Sequence, residues 1–316
     1  MEIVLIHVSP RFGGASLYSH RLMRKATFIA ALAALLAAAV PVQADNPTRL
    51  GNRLAISGDI ADCNRPGDTA TAALVQEELD ARPNLGVVIV GDAVYNDGTL
   101  TEYRECFDPN WGAFKDRTVY APGNHDRNRV GANQYWGLDP NDDVWVFDIG
   151  SKWLGVALDS EAYNDASSSQ RRGLRDQIES ALDESGRKCA VFFSHHPRYS
   201  SGKHGDKNWM DPVWDLLVDQ GKTKIVVAGH DHHYERIRKN GIHLFISGHG
   251  GKSHYPQGTV HANSQKRVFG PANNHNNLDK YGVLVLDLWK GKYKWRYESV
   301  GNGRMDSGQK AVDCVI

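Results

Sequence analysis

The 316-residue chain has no excess of charge of either sign, because Lys+Arg and Asp+Glu stand at 37 each. That balance excludes the basic field of a nucleic-acid binder, so no nucleic acid is expected as a partner. Cysteine is scarce: there are four, and none is arranged as CxxC. A cysteine-ligated zinc site is therefore not expected. No GxSxG elbow occurs, so nothing points to a serine nucleophile of that type. Internal repeats and Pro/Gly/Ser-rich linkers are absent too, which argues against a solenoid or a second domain. Hydrophobic residues at 41% and charged residues at 23% fit a globular protein.

Long apolar runs are missing except at the N-terminus. There "RLMRK" supplies positive charge, "ATFIAALAALLAAAV" forms an apolar stretch of 15 residues, and "VQA" offers small residues for cleavage. This is the pattern of an export signal cut after Ala44. The apolar stretch is short for a membrane span, although an uncleaved anchor is the alternative. Residues 1–20 lie upstream of this signal and do not resemble it, so translation is expected to start at Met23. Residues 1–44 are then an upstream extension plus a cleavable signal, and residues 45–316 a single domain. After signal removal no stable membrane insertion is expected, and the location is periplasmic or secreted. An even cysteine count in an oxidising compartment suggests disulfides. Of the three connectivities, Cys63–Cys106 with Cys189–Cys314 is favoured. Free buried thiols are the alternative.

Five apolar runs rich in Val, Ile and Phe read as buried strands: "RLAIS" (53–57), "LGVVIV" (85–90), "RTVYAP" (117–122), "KCAVFFS" (188–194) and "TKIVVA" (223–228). Helical spacing appears in "DTATAALVQEELDARP", "SSSQRRGLRDQIESALDES" and "MDPVWDLLVDQG". The alternation indicates an α/β architecture. "VWVFDIGSKWLGVALD" and "GVLVLDLWKGKYKWRYES" read as hairpins, expected at sheet edges.

Each buried strand runs into polar residues able to bind metal. These are Asp59 in "GD", Asp92 and Tyr95 in "GDAVY", Asn124 to Asp126 in "GNHD", His195 in "HHP", and His230 and His232 in "GHDHH". Ligands of open α/β folds bind beyond the carboxyl ends of strands. Carboxylate, amide oxygen, phenolate and imidazole suit Fe, Mn or Zn better than softer ions. Their number suits two ions sharing one carboxylate. On extended backbone, His230 and His232 project to one side and reach different ions, while His233 points away.

The set "GD … GDxxY … GNHD … HxP … GHxH" resembles the calcineurin-like metallophosphoesterases. Within them it is most similar to the purple acid phosphatases. The wider superfamily opens with Asp-x-His, but here Ala61 stands at the histidine position. The purple acid phosphatases share that loss and gain a tyrosine three residues after the second aspartate, where Tyr95 lies. The resemblance implies a four-layer α/β/β/α sandwich with mixed sheets. It implies Fe(III) on Asp59, Asp92, Tyr95 and His232, and a divalent ion (Fe, Zn or Mn) on Asp92, Asn124, His195 and His230.

It further implies hydrolysis of small phosphate monoesters by a metal-bound hydroxide, in acid, by a purple protein. His125 would protonate the leaving group, with Asp126 orienting it. His204, nine residues beyond His195, would contact phosphate. His196 and His233 read as supporting or packing groups, and His249 as a weak candidate for the pocket wall. A phosphodiesterase or nucleotidase on the same scaffold is the first rival, and a non-catalytic metal- or phosphate-binding protein the second.

Overall fold

A computed structural model describes residues 47–126, 129–271 and 277–313. The expected signal segment lies outside the described residues. In chain order the strands are β1 (Arg49–Leu50), β2 (Arg53–Ser57), β3 (Gly86–Val90), β4 (Thr118–Ala121), β5 (Val144–Ile149), β6 (Trp153–Leu158) and β7 (Cys189–Ser194). They continue as β8 (Thr223–Ala228), β9 (Tyr234–Lys239), β10 (Ile242–Ser247), β11 (Ser264–Val268), β12 (Gly282–Trp289), β13 (Lys292–Ser299) and β14 (Gly303–Ala311).

One sheet has the order β1-β5-β6-β7-β8-β10-β9-β11, the other β14-β13-β12-β2-β3-β4. Both are mixed. β2, β3 and β4 are parallel in one, and β6, β7, β8 and β10 in the other, with antiparallel strands outside them.

The parallel strands are apolar on both faces because each face is covered. Along β6, β7 and β8, Trp153, Ala157, Val191, Phe193, Ile225 and Val227 share a core with the other sheet. The alternate residues Leu154, Val156, Phe192 and Val226 join Leu174, Ile178, Leu182, Trp214 and Leu217 of the helices Ser168–Glu184 and Asp211–Gln220. The helix Gly67–Ala81 packs Ala72 and Val75 into the core of the six-stranded sheet. Helix, sheet, sheet and helix form the four-layer α/β/β/α sandwich that the resemblance implied.

The expected hairpins form as β5–β6 and β12–β13, but neither ends its sheet. β1 adds beyond β5 and β14 beyond β13, which places β12 in the middle of its sheet against β2. Short or polar edge strands carry little apolar signal, so these two escape a hydrophobicity reading.

The Cys63–Cys106 disulfide forms across a sequence separation of 43, with Cα atoms 4.6 Å apart. It joins the loop after β2 to the helical turn Tyr103–Phe107. Cys189 has no free thiol, and Cys314 lies outside the described residues. Among the described residues no helix is long and apolar enough to cross a membrane.

Candidate metal centre

The seven expected donors converge at the carboxyl ends of β2, β3, β4, β7 and β8. Around Tyr95, the phenolic oxygen lies 2.9 Å from Asp59 Oδ1, 3.0 Å from Asp92 Oδ2 and 3.2 Å from His232 Nε2. Around Asn124, Oδ1 lies 3.1 Å from His195 Nε2 and 2.9 Å from His230 Nδ1. Asp92 Oδ2 is also 3.3 Å from His195 Nε2. One carboxylate oxygen therefore belongs to both groups of four, as a shared ligand requires.

The backbone at these positions is unusual. Asp59 (φ 58°), Asp92 (φ 48°) and His230 (φ 69°) are all left-handed without being glycine. Such residues persist only where their surroundings over-determine them, and they cluster at functional sites. Two glycines make the close approach possible. A Cβ at Gly91 would overlap the His195 imidazole, and one at Gly123 would overlap the Asp92 carboxylate.

Second contacts orient the imidazoles. His195 Nδ1 donates to the Val90 carbonyl at 2.9 Å and His232 Nδ1 to the Ser253 carbonyl at 2.6 Å. Both Nε2 lone pairs thus face the oxygen cluster. His230 Nε2 is buried with no hydrogen-bond partner among the described residues. It sits between the rings of His196 and His204, with centroids 4.3 and 4.5 Å away.

The crowding of these groups shifts their proton affinities. Burial, then the Asp59 and Asp92 carboxylates, push the Tyr95 phenol well above its ordinary 10. Burial lowers the His195 imidazole, but the Asp92 carboxylate outweighs it and raises the group to about 10. Burial, then the neighbouring imidazoles, push His230 well below 6.5. A cation held by these donors would reverse these penalties, because it favours phenolate, carboxylate and neutral imidazole together. Asp59, Asp92 and His195 form one group able to hold a metal, and His195, His196 and His230 another.

Asp126 does not orient His125. Its carboxylate points into the core, where it accepts from Tyr103 Oη at 2.8 Å and Gly123 N at 2.9 Å. Burial and the Asp92 charge lift it to about 6. His125 Nδ1 instead rests on the Asn96 carbonyl at 2.9 Å, and its backbone N–H donates to Asp92 Oδ1 at 2.7 Å.

Residues 230–233 are bends, not extended strand. Asp231 N–H bonds to the Gly229 carbonyl at 2.8 Å and His233 N–H to the Asp231 carbonyl at 2.7 Å. These tight turns, not strand alternation, aim His230 and His232. His233 does point away, to Glu235 Oε2 at 3.2 Å. His196 packs on Ser160 through Nδ1 at 3.0 Å. His249 is fully buried, with Nδ1 on Tyr297 Oη at 2.9 Å, so it does not line a pocket.

His204 is exposed at the rim. Two residues that sequence reading missed support this region. Tyr255 stacks on His232 at 3.8 Å, and Asp231 fixes the His204 backbone. Aromatic stacking between distant loops leaves no local signal. A cavity of about 800 Å³, lined by residues such as Arg49, Asn84, Arg117 and Trp289, opens at the other end of the strands, away from these donors.

Sheet order and donor placement define a metallophosphoesterase sandwich with its site at the strand ends. The family model for calcineurin-like phosphoesterases matches residues 53–234, and the chain belongs to that family. Its fold is similar to GAP50, the anchor in the inner membrane complex of Plasmodium, at TM-score 0.67 and 15% identity, covering 83% of this chain and 89% of that one. It is similar to PhoD at TM-score 0.53 and 11% identity, covering 82% and 68%. It is also similar to a dimetal phosphatase from Danio rerio at TM-score 0.52 and 14% identity, covering 82% and 98%. No curated protein matches the sequence. Family and fold together support a metal-dependent phosphoesterase, and the family implies a dinuclear centre.

Proposed function

We propose that the protein is an exported phosphatase of the purple acid type that hydrolyses small phosphate monoesters. The observation that carries this reading is Tyr95, whose oxygen sits within 3.2 Å of Asp59, Asp92 and His232. Ala61 is fully buried and supplies no ligand, so the tyrosine fills the count. Asp59, Asp92, Tyr95 and His232 would hold Fe(III), which phenolate and carboxylate oxygens favour. Asp92, Asn124, His195 and His230 would hold a divalent Fe, Zn or Mn ion.

When bound, the two ions neutralise phosphoryl charge and acidify water. The chain's own side chains do the rest. His125, whose Nδ1 donates to the Asn96 carbonyl, keeps Nε2 for the leaving alkoxide and, as the imidazolium, delivers the Nε2 proton there. His204, on the exposed rim, contacts the phosphate. The phenol and carboxylates of the first group are buried, so substrate would enter from the His125 and His204 side. Export rests on the N-terminal signal pattern and on the Cys63–Cys106 bridge, which an oxidising compartment favours.

Metal analysis with a visible spectrum tests the reading. Iron-loaded protein is expected to absorb in the visible, and Tyr95→Phe to lose that band while retaining fold. Bound iron without any band in the unmodified protein would overturn the assignment. Comparing rates on a phosphomonoester and its matching diester separates this activity from a phosphodiesterase on the same scaffold.

A further inference from the structure

The segment from His230 to Glu235 carries more than two proposed ligands. Asp231 lies between them and is fully buried, as is Glu235. Both carboxylates face away from the metal centre and take hold of the loop that bears His204. Asp231 Oδ2 accepts from Ser200 Oγ at 2.5 Å, and Oδ1 accepts from the His204 backbone N–H at 2.8 Å. Gly202 passes so near that a Cβ there would overlap the Asp231 carboxylate. Glu235 accepts from Ser201 N at 2.8 Å and Ser201 Oγ at 2.6 Å. His204 is left with its ring 4.5 Å from that of His230.

We propose that Asp231 is a positioning residue that sets His204 over the reaction centre by fixing the 200–204 loop to the ligand-bearing turn. A buried carboxylate accepting two hydrogen bonds is costly to leave in any other arrangement, so the loop is held in one register. The turns at residues 229–233 explain the division of labour. His230 and His232 face inward from the same bend whose Asp231 faces the loop. The inference rests on the proposed function, since it assigns His204 a task at the phosphate.

The test is a double-mutant cycle on metal-loaded full-length protein, with a phosphomonoester as substrate. Asp231→Ala and His204→Ala are each expected to lower kcat/KM by about 10- to 100-fold, the usual range for an orienting partner. The double variant is expected to fall no more than about 3-fold below His204→Ala, because both changes remove one function. The loss should appear in KM and in inhibition by inorganic phosphate, with metal content unchanged.

Hydrogen exchange should speed up at the amides of residues 201–204. Ser200→Ala removes the Oγ bonds to Asp231 and from Gly202 N but leaves the buried carboxylate in place, so it guards against a misfolded Asp231 variant. It should show the same direction with a smaller effect. Losses that multiply, an Asp231→Ala rate within about 2-fold of the parent, or loss of metal would each sink the proposal. Complete inactivity of the metal-loaded parent would instead sink the phosphatase reading, and the exchange experiment would still report on the loop.

Discussion

Asp59, Asp92 and His230 hold φ values between 48° and 69°, a conformation that costs a non-glycine residue of order 1–3 kcal/mol. Nothing in a linear motif reveals that strain, although the motif did identify the residues. The type and order of the donors were readable because each follows a buried strand directly. The direction of a side chain was not. Asp126, adjacent to His125 in "GNHD", turns into a tyrosine pocket, and the spacing of His230 and His232 comes from turns. At this scale Asp92→Asn is expected to reduce bound metal below two per chain and to lower kcat at least ~10²-fold, measured by metal analysis and assay. His125→Ala should lower kcat by about 10²- to 10⁴-fold, with the larger loss on substrates whose leaving group is more basic. Equal losses on good and poor leaving groups would contradict a proton-donor role.

Elements were legible in proportion to how apolar or periodic they are. The five buried strands and the three long helices stand where their hydrophobic spacing puts them. The helix Ser168–Glu184 is also announced by its cap, since Ser167 and Gln170 exchange the hydrogen bonds of a capping box. Ser167→Ala should cost about 1 kcal/mol and lower Tm by about 2–4 °C, readable by calorimetry. By contrast, the stretch from Leu100 to Arg117 changes helix type three times. Pro109 and Gly112 mask its pattern, yet Tyr103, Phe107, Trp111 and Phe114 are all buried from it. The β9–β10 hairpin turns at Asn240 and Gly241, both with positive φ, which is the strongest short-range hairpin signal a sequence carries.

The whole molecule combines two sheets that no local pattern could pair, because β12 joins β2 across more than two hundred residues. The family resemblance supplied that architecture where periodicity could not. The Cys63–Cys106 bridge constrains the unfolded chain over a separation of 43, so its reduction should cost about 3–4 kcal/mol. Acid should weaken the fold through buried histidines that are not among the proposed ligands. Burial, then Arg238 and Arg236, lower His243 to about 3, and burial lowers His254 to about 4. Both bind fewer protons folded than unfolded. Their contribution is complete above about 6.5 and is lost as pH falls toward those values. His243→Gln should flatten the fall of Tm between pH 6.5 and 4, and an unchanged slope would reject this origin. The donors also divide by sheet. Every proposed oxygen ligand (Asp59, Asp92, Tyr95, Asn124) follows a strand of the six-stranded sheet, and every proposed nitrogen ligand (His195, His230, His232) a strand of the eight-stranded one. Neither sheet alone supplies the full donor set proposed for either ion. Bound metals would act as rivets through the seam, so that sliding one sheet against the other loosens both ions together, and the mechanical stiffness of the sandwich becomes a determinant of how acidic its metals are.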